Sequence, residues 1–253
     1  MTSWESVSFA DTDASGTYDR RYAWDHGDER YRWEMSLPRD VYDTHSRRHR
    51  VYDYGAYIAD GTTQDLFDGF CETVESISAE QGFDAHEQVT FVARFVQSLP
   101  YTTDDVSTGY NNYPRYPIET LVDETGDCED ASLLLAALLF GLGYRVALIE
   151  FDSHLGVGVD LDGAPANVEV DGREYSYIEA TGSGWNPGEL PSTYEGQSLD
   201  LNYVGDSPVL YGSWQATVEN GWFSCGGSVY NHGLAAAENV QCYVTLEAHG
   251  DRT

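Results

Sequence analysis

Lysine is missing from this chain of 253 residues: all 13 basic residues are arginine, and 43 acidic residues give a net charge of -30. So negative a chain excludes nucleic acid as a partner, because the phosphate backbone would be repelled. The same charge predicts a halophile protein, because only high salt screens the repulsion among so many carboxylates. The acidic surface is therefore interpreted as a solvated face, and not as a binding site.

Long apolar runs and cysteine are also scarce. No stretch approaches the roughly 18 apolar residues of a membrane span, and the first twenty residues lack the apolar segment of an export signal. We therefore expect a cytoplasmic protein without a membrane span. Four cysteines are too few for a disulfide scaffold. A chain of this length can instead be stabilised by a hydrophobic core.

Two amphipathic helices are predicted in the first half of the chain. Residues 62–81 carry apolar side chains at helical spacing and are followed by Gly82, a typical helix stop. Cys71 lies near that apolar face, which favours a core role over a reactive thiol. Residues 84–99 form a second helix that ends before Pro100. Gln97 falls off its apolar stripe, so it is either a surface residue or a donor to an oxyanion.

Residues 18–57 are rich in aromatic side chains and contain eight of the thirteen arginines. Within them, residues 31–37 alternate like an amphipathic strand. The cluster Arg47, Arg48, His49 and Arg50 is predicted to form internal ion pairs. The alternative is that it binds a carboxylate or an acidic peptide.

The most informative stretch is Gly126–Asp130, which runs into the uncharged apolar segment 131–142. A helix that is apolar on all sides must be buried, so this segment is predicted to be the central helix of a domain. Cys128 then lies in its first turn, where the helix macrodipole favours the thiolate. The neighbouring acids Asp127 and Glu129 oppose that effect.

Three short apolar strands are predicted after this helix, at residues 144–151, 155–160 and 175–179. His154 comes at the head of the second strand and Glu179 at the end of the third. If the strands are neighbours in a sheet, cysteine, histidine and acid come together as a thiol triad requires. Asp171 is the alternative acid, because it is the nearest in sequence.

Four segments of the chain carry a resemblance to a known family: Tyr116–Leu121, Gly126–Asp130, His154 and Tyr177–Gly182. They resemble the transglutaminase-like superfamily, of the haloarchaeal type, over about residues 85–195. The resemblance implies an α+β fold with a papain-like core, in which a central buried helix packs on an antiparallel sheet. It also implies that Cys128 is the nucleophile, His154 the base and Glu179 the orienting acid. The wider family usually has aspartate at the third position, so Glu179 departs from its pattern.

The implied function is thiol-dependent acyl transfer on amide bonds of a peptide or protein substrate. A cysteine peptidase or amidase with the triad Cys128, His154 and Glu179 is the leading prediction. A protein-glutamine transglutaminase is an alternative, because water and lysine can accept the same acyl group. A further alternative is a binding or assembly module that keeps the fold with little turnover. Glu179 in place of aspartate and a β-rich tail favour that reading.

The loop of residues 101–116 has no periodicity and four tyrosines. Since it leads directly to the cysteine helix, Tyr113 and Tyr116 are predicted either to wall a substrate groove or to cover the core. Asp127 and Glu129 flank the thiol, and the resemblance implies that both acids could be ligands of a calcium ion. No cofactor is required by the predicted chemistry. The alternative reading is that these acids complement the positive end of the helix dipole.

Two domains are predicted, at residues 1–204 and 205–253. The first is the transglutaminase-like domain with an aromatic and arginine-rich N-terminal extension, loosening at residues 189–206. The second is a small β-strand module, of the kind expected for a truncated sandwich, with alternating segments at residues 214–219, 225–230 and 240–246. A turn at Asn231–Ala236 would place Cys225 opposite Cys242, within reach of a disulfide.

Overall fold

The computed structural model describes residues 16–48, 50, 53–107, 109, 113–170, 173–204, 208, 210–219, 222–231 and 236–242. Over these residues the chain is a mixed α+β protein, as its sequence predicts. The strands are β1 (Thr17–His26), β2 (Glu29–Pro38), β3 (Val146–Phe151), β4 (His154–Val159), β5 (Val168–Val170), β6 (Arg173–Ile178), β7 (Asp200–Tyr203), β8 (Leu210–Glu219) and β9 (Trp222–Asn231). The helices are α1 (Arg39–Ser46), α2 (Gly55–Ile58), α3 (Gly61–Gln81), α4 (Ala85–Gln97), α5 (Asp104–Ser107), α6 (Pro117–Asp123) and α7 (Cys128–Gly141).

Helix α7 is the buried centre of the protein, as the apolar segment predicts. Its first turn is held by a capping box: Asp127 accepts from the N–H of Glu129 and Asp130, and Asp130 accepts from the N–H of Asp127. Gly143, with φ 85°, turns the chain away after its end. Five leucines on it are fully buried: Leu133, Leu134, Leu135, Leu138 and Leu139. Truncating any one of them to alanine would cost about 2–5 kcal/mol.

The helix packs on an antiparallel sheet of strand order β5-β6-β4-β3-β7. The hairpin between β3 and β4 pairs Phe151 with His154, so His154 heads its strand as predicted. Strand β4 then pairs with β6, with Val157 opposite Ile178. Because the two strands are antiparallel, His154 and Glu179 lie at the same end of the sheet.

Gly156 allows a side chain of β6 to lie across β4. A Cβ at this position would come within 2.4 Å of Cε2 of Tyr177 and 2.8 Å of its hydroxyl oxygen. Such distances are too short for real contacts, so a larger residue would displace the ring. Glycine in the middle of this strand therefore fixes the place of the Tyr177 hydroxyl.

The aromatic N-terminal extension shares this core. The predicted strand at residues 31–37 lies within β2, which pairs with β1. The hairpin packs on α4 through a cluster of rings: Tyr22, Trp24, Tyr31, Trp33, Phe91 and Phe95. The Tyr22 hydroxyl also donates to the carbonyl of Leu121 at 2.6 Å, which ties the hairpin to α6.

Two arginines of the cluster, Arg48 and Arg50, form internal ion pairs, as predicted, whereas Arg47 makes an exposed pair with Asp43 and His49 lies outside the described residues. Arg48 lies 2.7 Å from Asp60, and Arg50 lies 2.7 Å from Glu119. Both carboxylates are buried. These pairs hold the chain after α1 against α3 and α6.

The core sheet continues further along the chain than predicted. Residues 189–206 were expected to be a loosened end of the domain, but they include β7, which pairs with β3. The N–H of Val204 also donates to the carbonyl of Val146 at 3.1 Å. Of the helices that the structure describes, none is long and apolar enough to cross a membrane.

The C-terminal hairpin has a different register from the predicted one. Strand β9 pairs with β8, which places Cys225 opposite Ala216 and not opposite Cys242. Both cysteines are exposed free thiols, so the predicted disulfide is wrong. Residues 236–242 contain no strand, and the rest of the predicted strand at 240–246 lies outside the described residues. Strand β9 pairs with β8, the nearer strand along the chain, because a short loop costs less entropy to close than a long one.

Candidate active site

The turn before α7 is fixed by a close contact beneath it. A Cβ at Gly126 would lie 2.5 Å from the Cβ of Asp130, so only glycine fits over that carboxylate. Asp130 is itself fully buried and accepts from the backbone N–H of Arg115 at 2.7 Å. These contacts hold Cys128 at the first position of α7.

Arg115 is the buried centre of this anchor. Its side chain is 2% exposed, and its guanidinium pairs with three carboxylates: Asp104, Asp123 and Asp130. Burial raises the pKa of Asp130 to about 6, although the charge of Arg115 acts in the opposite direction. Sequence reasoning missed Arg115, because an arginine in an aperiodic loop gives no signal of the acids that surround it in space.

The thiol of Cys128 directs its proton at Glu129 and not at His154. Sγ lies 2.9 Å from Oε2 of Glu129. Burial, followed by the hydrogen bond to Glu129 and the charges of Glu129 and Asp127, raises the pKa of Cys128 to about 12. A backbone hydrogen bond from Leu155, the residue after His154, acts in the opposite direction. The sequence predicts that the helix dipole and the two acids act on this pKa in opposite directions; burial and the acids outweigh the dipole, so the resting thiol is neutral.

His154 and Glu179 form the pair that strand order predicts. Nε2 of His154 lies 2.9 Å from Oε2 of Glu179, and both side chains are buried. The same oxygen accepts from the Tyr177 hydroxyl at 2.7 Å. Oε1 accepts from the N–H and the hydroxyl of Thr181, at 2.9 and 2.6 Å. Both carboxylate oxygens are therefore held in place.

These contacts define the protonation of the pair. Burial acts to raise the pKa of Glu179, but the hydrogen bonds from His154 and Thr181 outweigh it and hold that pKa below its usual value. An ionised carboxylate only accepts, so Nε2 of His154 carries the proton. The lone pair of the neutral ring is then on Nδ1, and that nitrogen is the one able to take a proton from a thiol.

Tyr194 covers the imidazole. Its ring stacks on the ring of His154 with centroids 4.8 Å apart and an interplanar angle of 1°. The same tyrosine stacks on Phe151, the residue paired with His154, at 4.8 Å. Sequence reasoning missed this residue, because it lies in a polar segment far from β4 along the chain. Tyr194 restricts the ring of His154 to one plane.

Gln97 is buried, contrary to its expected place on the surface. Its amide nitrogen donates to the carbonyls of Glu179 at 2.7 Å and Trp185 at 3.1 Å. Its amide oxygen accepts from Arg94 at 2.7 Å. Since both amide protons are engaged, the candidate role as an oxyanion donor is not supported. Gln97 instead positions the backbone at Glu179.

Tyr116 packs in the core, as the alternative of a core cover predicts, whereas Tyr113 is half-buried beside α6 and its place in a groove wall stays a prediction. The Tyr113 hydroxyl lies 3.1 Å from Oε1 of Glu119. Tyr116 is 5% exposed and stacks on Tyr57 at 4.3 Å. The tyrosine that faces solvent near the thiol is Tyr101, which is 58% exposed. Burial and the charge of a Cys128 thiolate raise the pKa of Tyr101, which places its hydroxyl within electrostatic range of the thiol.

Among the described residues, two acidic groups could hold a metal ion. In each group the ligand atoms lie within 4.8 Å of one another: Asp127, Cys128 and Glu129 in one, Asp104, Asp127 and Asp130 in the other. In the second group Arg115 already supplies a positive charge to two of the acids. In the first group two carboxylates are joined by a soft sulfur, whereas calcium takes six to eight oxygens. The donor set therefore fits calcium poorly.

A scan against protein-family models and a search of curated proteins find no match to this chain. The chemical interpretation of the site therefore rests on the contacts described above.

Proposed function

We propose that the protein is a thiol-dependent hydrolase of amide bonds, a cysteine peptidase or amidase with the triad Cys128, His154 and Glu179. The observation that supports this most strongly is the pair of His154 and Glu179, 2.9 Å apart, with the acid held by Tyr177 and Thr181. The Tyr177 hydroxyl and the N–H and hydroxyl of Thr181 also donate to this carboxylate. An ion pair does not need these three donors, so we assign them to orienting the carboxylate toward His154.

In the proposed reaction, Nδ1 of His154 removes the proton of Cys128, and the sulfur attacks the amide carbonyl carbon. The tetrahedral oxyanion is stabilised by the N–H of Cys128, since Asp127 caps the N–H groups of Glu129 and Asp130 and not this one. The imidazolium returns its proton to the leaving amine, which departs. Water, activated by the neutral histidine, then releases the acid and regenerates the thiol.

The neutral resting thiol sets a condition on this reaction. Because the pKa of Cys128 is about 12, the thiolate is formed only when His154 takes the proton in the presence of substrate. The thiol must also leave Glu129, which requires a rotation about the Cys128 side chain.

The test combines thiol labelling with turnover. The protein is treated with iodoacetamide in molar salt and the labelled cysteines are mapped by mass spectrometry, while hydrolysis of a peptide amide library is followed in parallel. Cys128 should label faster than Cys71, which is buried in the core with a pKa also raised to about 12 by burial. Cys128→Ala should abolish hydrolysis and Cys71→Ala should not. Faster labelling of Cys71 would overturn the site assignment.

Transfer to an amine is the alternative outcome of the same chemistry. Adding a primary amine to the hydrolysis assay distinguishes the two, because a transglutaminase would form the amide of that amine in preference to the acid. We favour water as the acceptor because it is always present. Formation of amine adducts with little hydrolysis would favour the transglutaminase.

The raised pKa of Cys128 supports a second candidate, a binding or assembly module with little turnover. In that case the hydrogen bond to Glu129 keeps the thiol unreactive and the fold serves to bind a protein partner. Such a module should hydrolyse none of the peptide amides, and any faster labelling of Cys128 than of Cys71 would then reflect its greater exposure alone. It should also show no loss of partner binding in Cys128→Ala.

No metal is required by the proposed reaction, because thiol, imidazole and carboxylate are all supplied by the chain. Calcium at Asp127 and Glu129, whose donor set with Cys128 fits that ion poorly, is not part of this proposal and has no step of the reaction assigned to it. Calcium binding is tested by comparing the midpoint of thermal unfolding in calcium chloride with that in magnesium chloride at equal ionic strength. A calcium-specific increase that is lost in Asp127→Asn would support such a site.

A further inference from the structure

The C-terminal hairpin of β8 and β9 is exposed on both of its sides. The two strands form a sheet of their own. Every residue of β9 is exposed, and so is every residue of β8 whose burial the structure describes. An isolated two-stranded hairpin is at best marginally stable in water, whereas three or more strands with a hydrophobic face can be stable. The described part of one chain therefore does not supply the burial that this hairpin needs.

The two sides of the hairpin differ in chemistry. Side chains alternate between the sides along each strand, and antiparallel partners such as Val218 and Phe223 share a side. The side that we call the apolar face carries these exposed residues: Leu210, Ala216, Val218, Phe223, Cys225 and Val229. The opposite side carries these exposed residues: Gln215, Thr217, Ser224 and Ser228, with the rings of Trp222 and Tyr230. Such alternation is typical of a sheet that is covered on one side.

The charge of the chain indicates what covers this face. With a net charge of -30, two copies of the chain repel each other, so they can associate only through a surface that brings few carboxylates together. The hairpin is such a surface, because Glu219, at the end of β8, is the only charged residue in its two strands of ten residues each. A cationic partner would find almost no counter-charge there. A second copy of the chain, in contrast, brings an identical uncharged face.

We propose that the apolar face binds the same face of a second copy, so that two hairpins stack into a four-stranded sandwich and the chain forms a two-fold symmetric dimer. This association is independent of the proposed hydrolysis. Two faces of roughly 34 Å by 10 Å bury roughly 700 Å² when they stack. Because stable interfaces bury about 1,200 Å² or more, the dimer is weak and reversible. It forms at high protein concentration and in high salt, where the repulsion between the two chains is screened.

The first test measures the mass of the whole chain in molar potassium chloride by sedimentation equilibrium. The wild type should form a dimer that dissociates on dilution and when the salt is lowered. Val218→Asp places a carboxylate on the apolar face and should weaken the dimer at least about tenfold, because the charge would be desolvated in the interface. Val218 is 73% exposed, so this change removes no core packing. The matched control, Thr217→Asp, adds the same charge to the opposite side and should leave the dissociation constant within about twofold.

The second test reports which side of the hairpin is in the interface. Cys225 is an exposed thiol near the middle of β9, and stacked sheets lie about 10 Å apart, so a short bismaleimide should join Cys225 of two copies. The test is made in Cys242→Ser, and the linked peptides are mapped by mass spectrometry. In the control, Cys225→Ser with Ser224→Cys moves the thiol to the opposite side, where linking should be much weaker.

Three results would overturn the inference. The first is a chain that stays monomeric at every concentration in molar salt, which would leave the apolar face to a partner of another kind. The second is an equal effect of Val218→Asp and Thr217→Asp on the dissociation constant. The third is equal cross-linking from the two sides of the hairpin, which would indicate unspecific association.

Discussion

At the scale of single residues, the contacts of Glu179 show how the carboxylate of a long side chain is held beside a histidine. Its extra methylene adds a rotatable bond, and a misplacement of about 1 Å can cost a hundredfold in rate. The structure removes that freedom: Thr181 holds Oε1, while Tyr177 and His154 hold Oε2. The position of the Glu179 carboxylate is therefore set by these three neighbours and not by the length of its side chain.

Glu179→Gln should lower the rate of amide hydrolysis by about a hundredfold or more, because the amide cannot stabilise the imidazolium. It should also lower the free energy of unfolding by about 1–3 kcal/mol, since one of the buried donors would face the new N–H₂ group. Turnover and urea unfolding are measured in the same salt. The matched control is Glu174→Gln, an exposed residue of β6. Unchanged turnover would remove Glu179 from the triad; the alternative acid, Asp171, lies outside the described residues.

Glu129→Gln should lower the pKa of Cys128, because it removes the charge that helps to keep the thiol protonated. Burial is the larger cause and remains, so that pKa should stay above its ordinary value. At pH 8–9 more thiolate is then present, and iodoacetamide should label Cys128 roughly tenfold faster for each unit by which the pKa falls. The rate is measured against pH, with the exposed Glu80→Gln as the control. A slower or unchanged rate would contradict the assigned role of Glu129.

Tyr194→Ala should reduce the rate of hydrolysis by about tenfold, because His154 loses the ring that restricts its plane. Tyr194→Phe keeps the stacked ring and should retain the rate. A change of the pH profile in the alanine variant, with the midpoint of thermal unfolding close to that of the wild type, would separate positioning of the imidazole from general destabilisation. Equal loss in both variants would point instead to the tyrosine hydroxyl.

At the scale of elements, the start of α7 is determined by groups from outside the helix. The capping box alone would fix the first turn. The contacts of Asp130 with Gly126 and Arg115 in addition tie that turn to the chain before it. A buried cation with three carboxylates is also a sensitive arrangement. Removal of Arg115 would leave Asp104 and Asp130 as buried charges without a partner cation, whereas removal of one acid would leave Arg115 paired with the others.

Arg115→Met should therefore destabilise the protein by about 3–5 kcal/mol, because Asp104 and Asp130 would be left buried without a counter-charge. The loss should be smaller at acidic pH, where protonation neutralises the acids. The measurement is urea unfolding at pH 5 and pH 8. As a control, Arg21→Met removes an exposed pair with Glu34 and should cost at most about 1 kcal/mol. Equal effects of the two substitutions would contradict the anchoring role.

At the scale of the whole molecule, charge determines the conditions in which the fold is stable. The net charge of -30 is carried without any lysine, and several arginines are already used in internal pairs such as Arg48 with Asp60 and Arg50 with Glu119. Few cations are left to offset the surface carboxylates. Their repulsion extends about 30 Å at 0.01 M salt and about 3 Å at 1 M salt.

The midpoint of thermal unfolding should rise steeply between 0.01 and 2 M potassium chloride. Screening of the carboxylates favours the compact state, in which they are closest together. Sucrose at matched osmolarity serves as the control, because it strengthens burial without screening charge. A midpoint that does not change with salt would refute the halophile interpretation.

The sequence by itself predicted the features that depend on local pattern. The apolar run of α7, the helix predicted at 62–81 and the strands next to His154 and Glu179 follow from periodicity, because hydrophobic spacing determines which face of an element is buried. The residues of the candidate triad followed from their places at the ends of those elements. The halophile prediction followed from composition alone.

Only the tertiary structure decided which distant groups meet. The partner of the thiol is Glu129, the anchor of α7 is Arg115, the cover of His154 is Tyr194, and the partner of β9 is β8. None of these has a periodic signal. Each depends on how buried charges and rings are compensated in space, and on which strand pairs at the lowest entropic cost. The pKa of Cys128 also depends on the tertiary structure, because burial and the neighbouring acids raise it by more than the helix dipole lowers it.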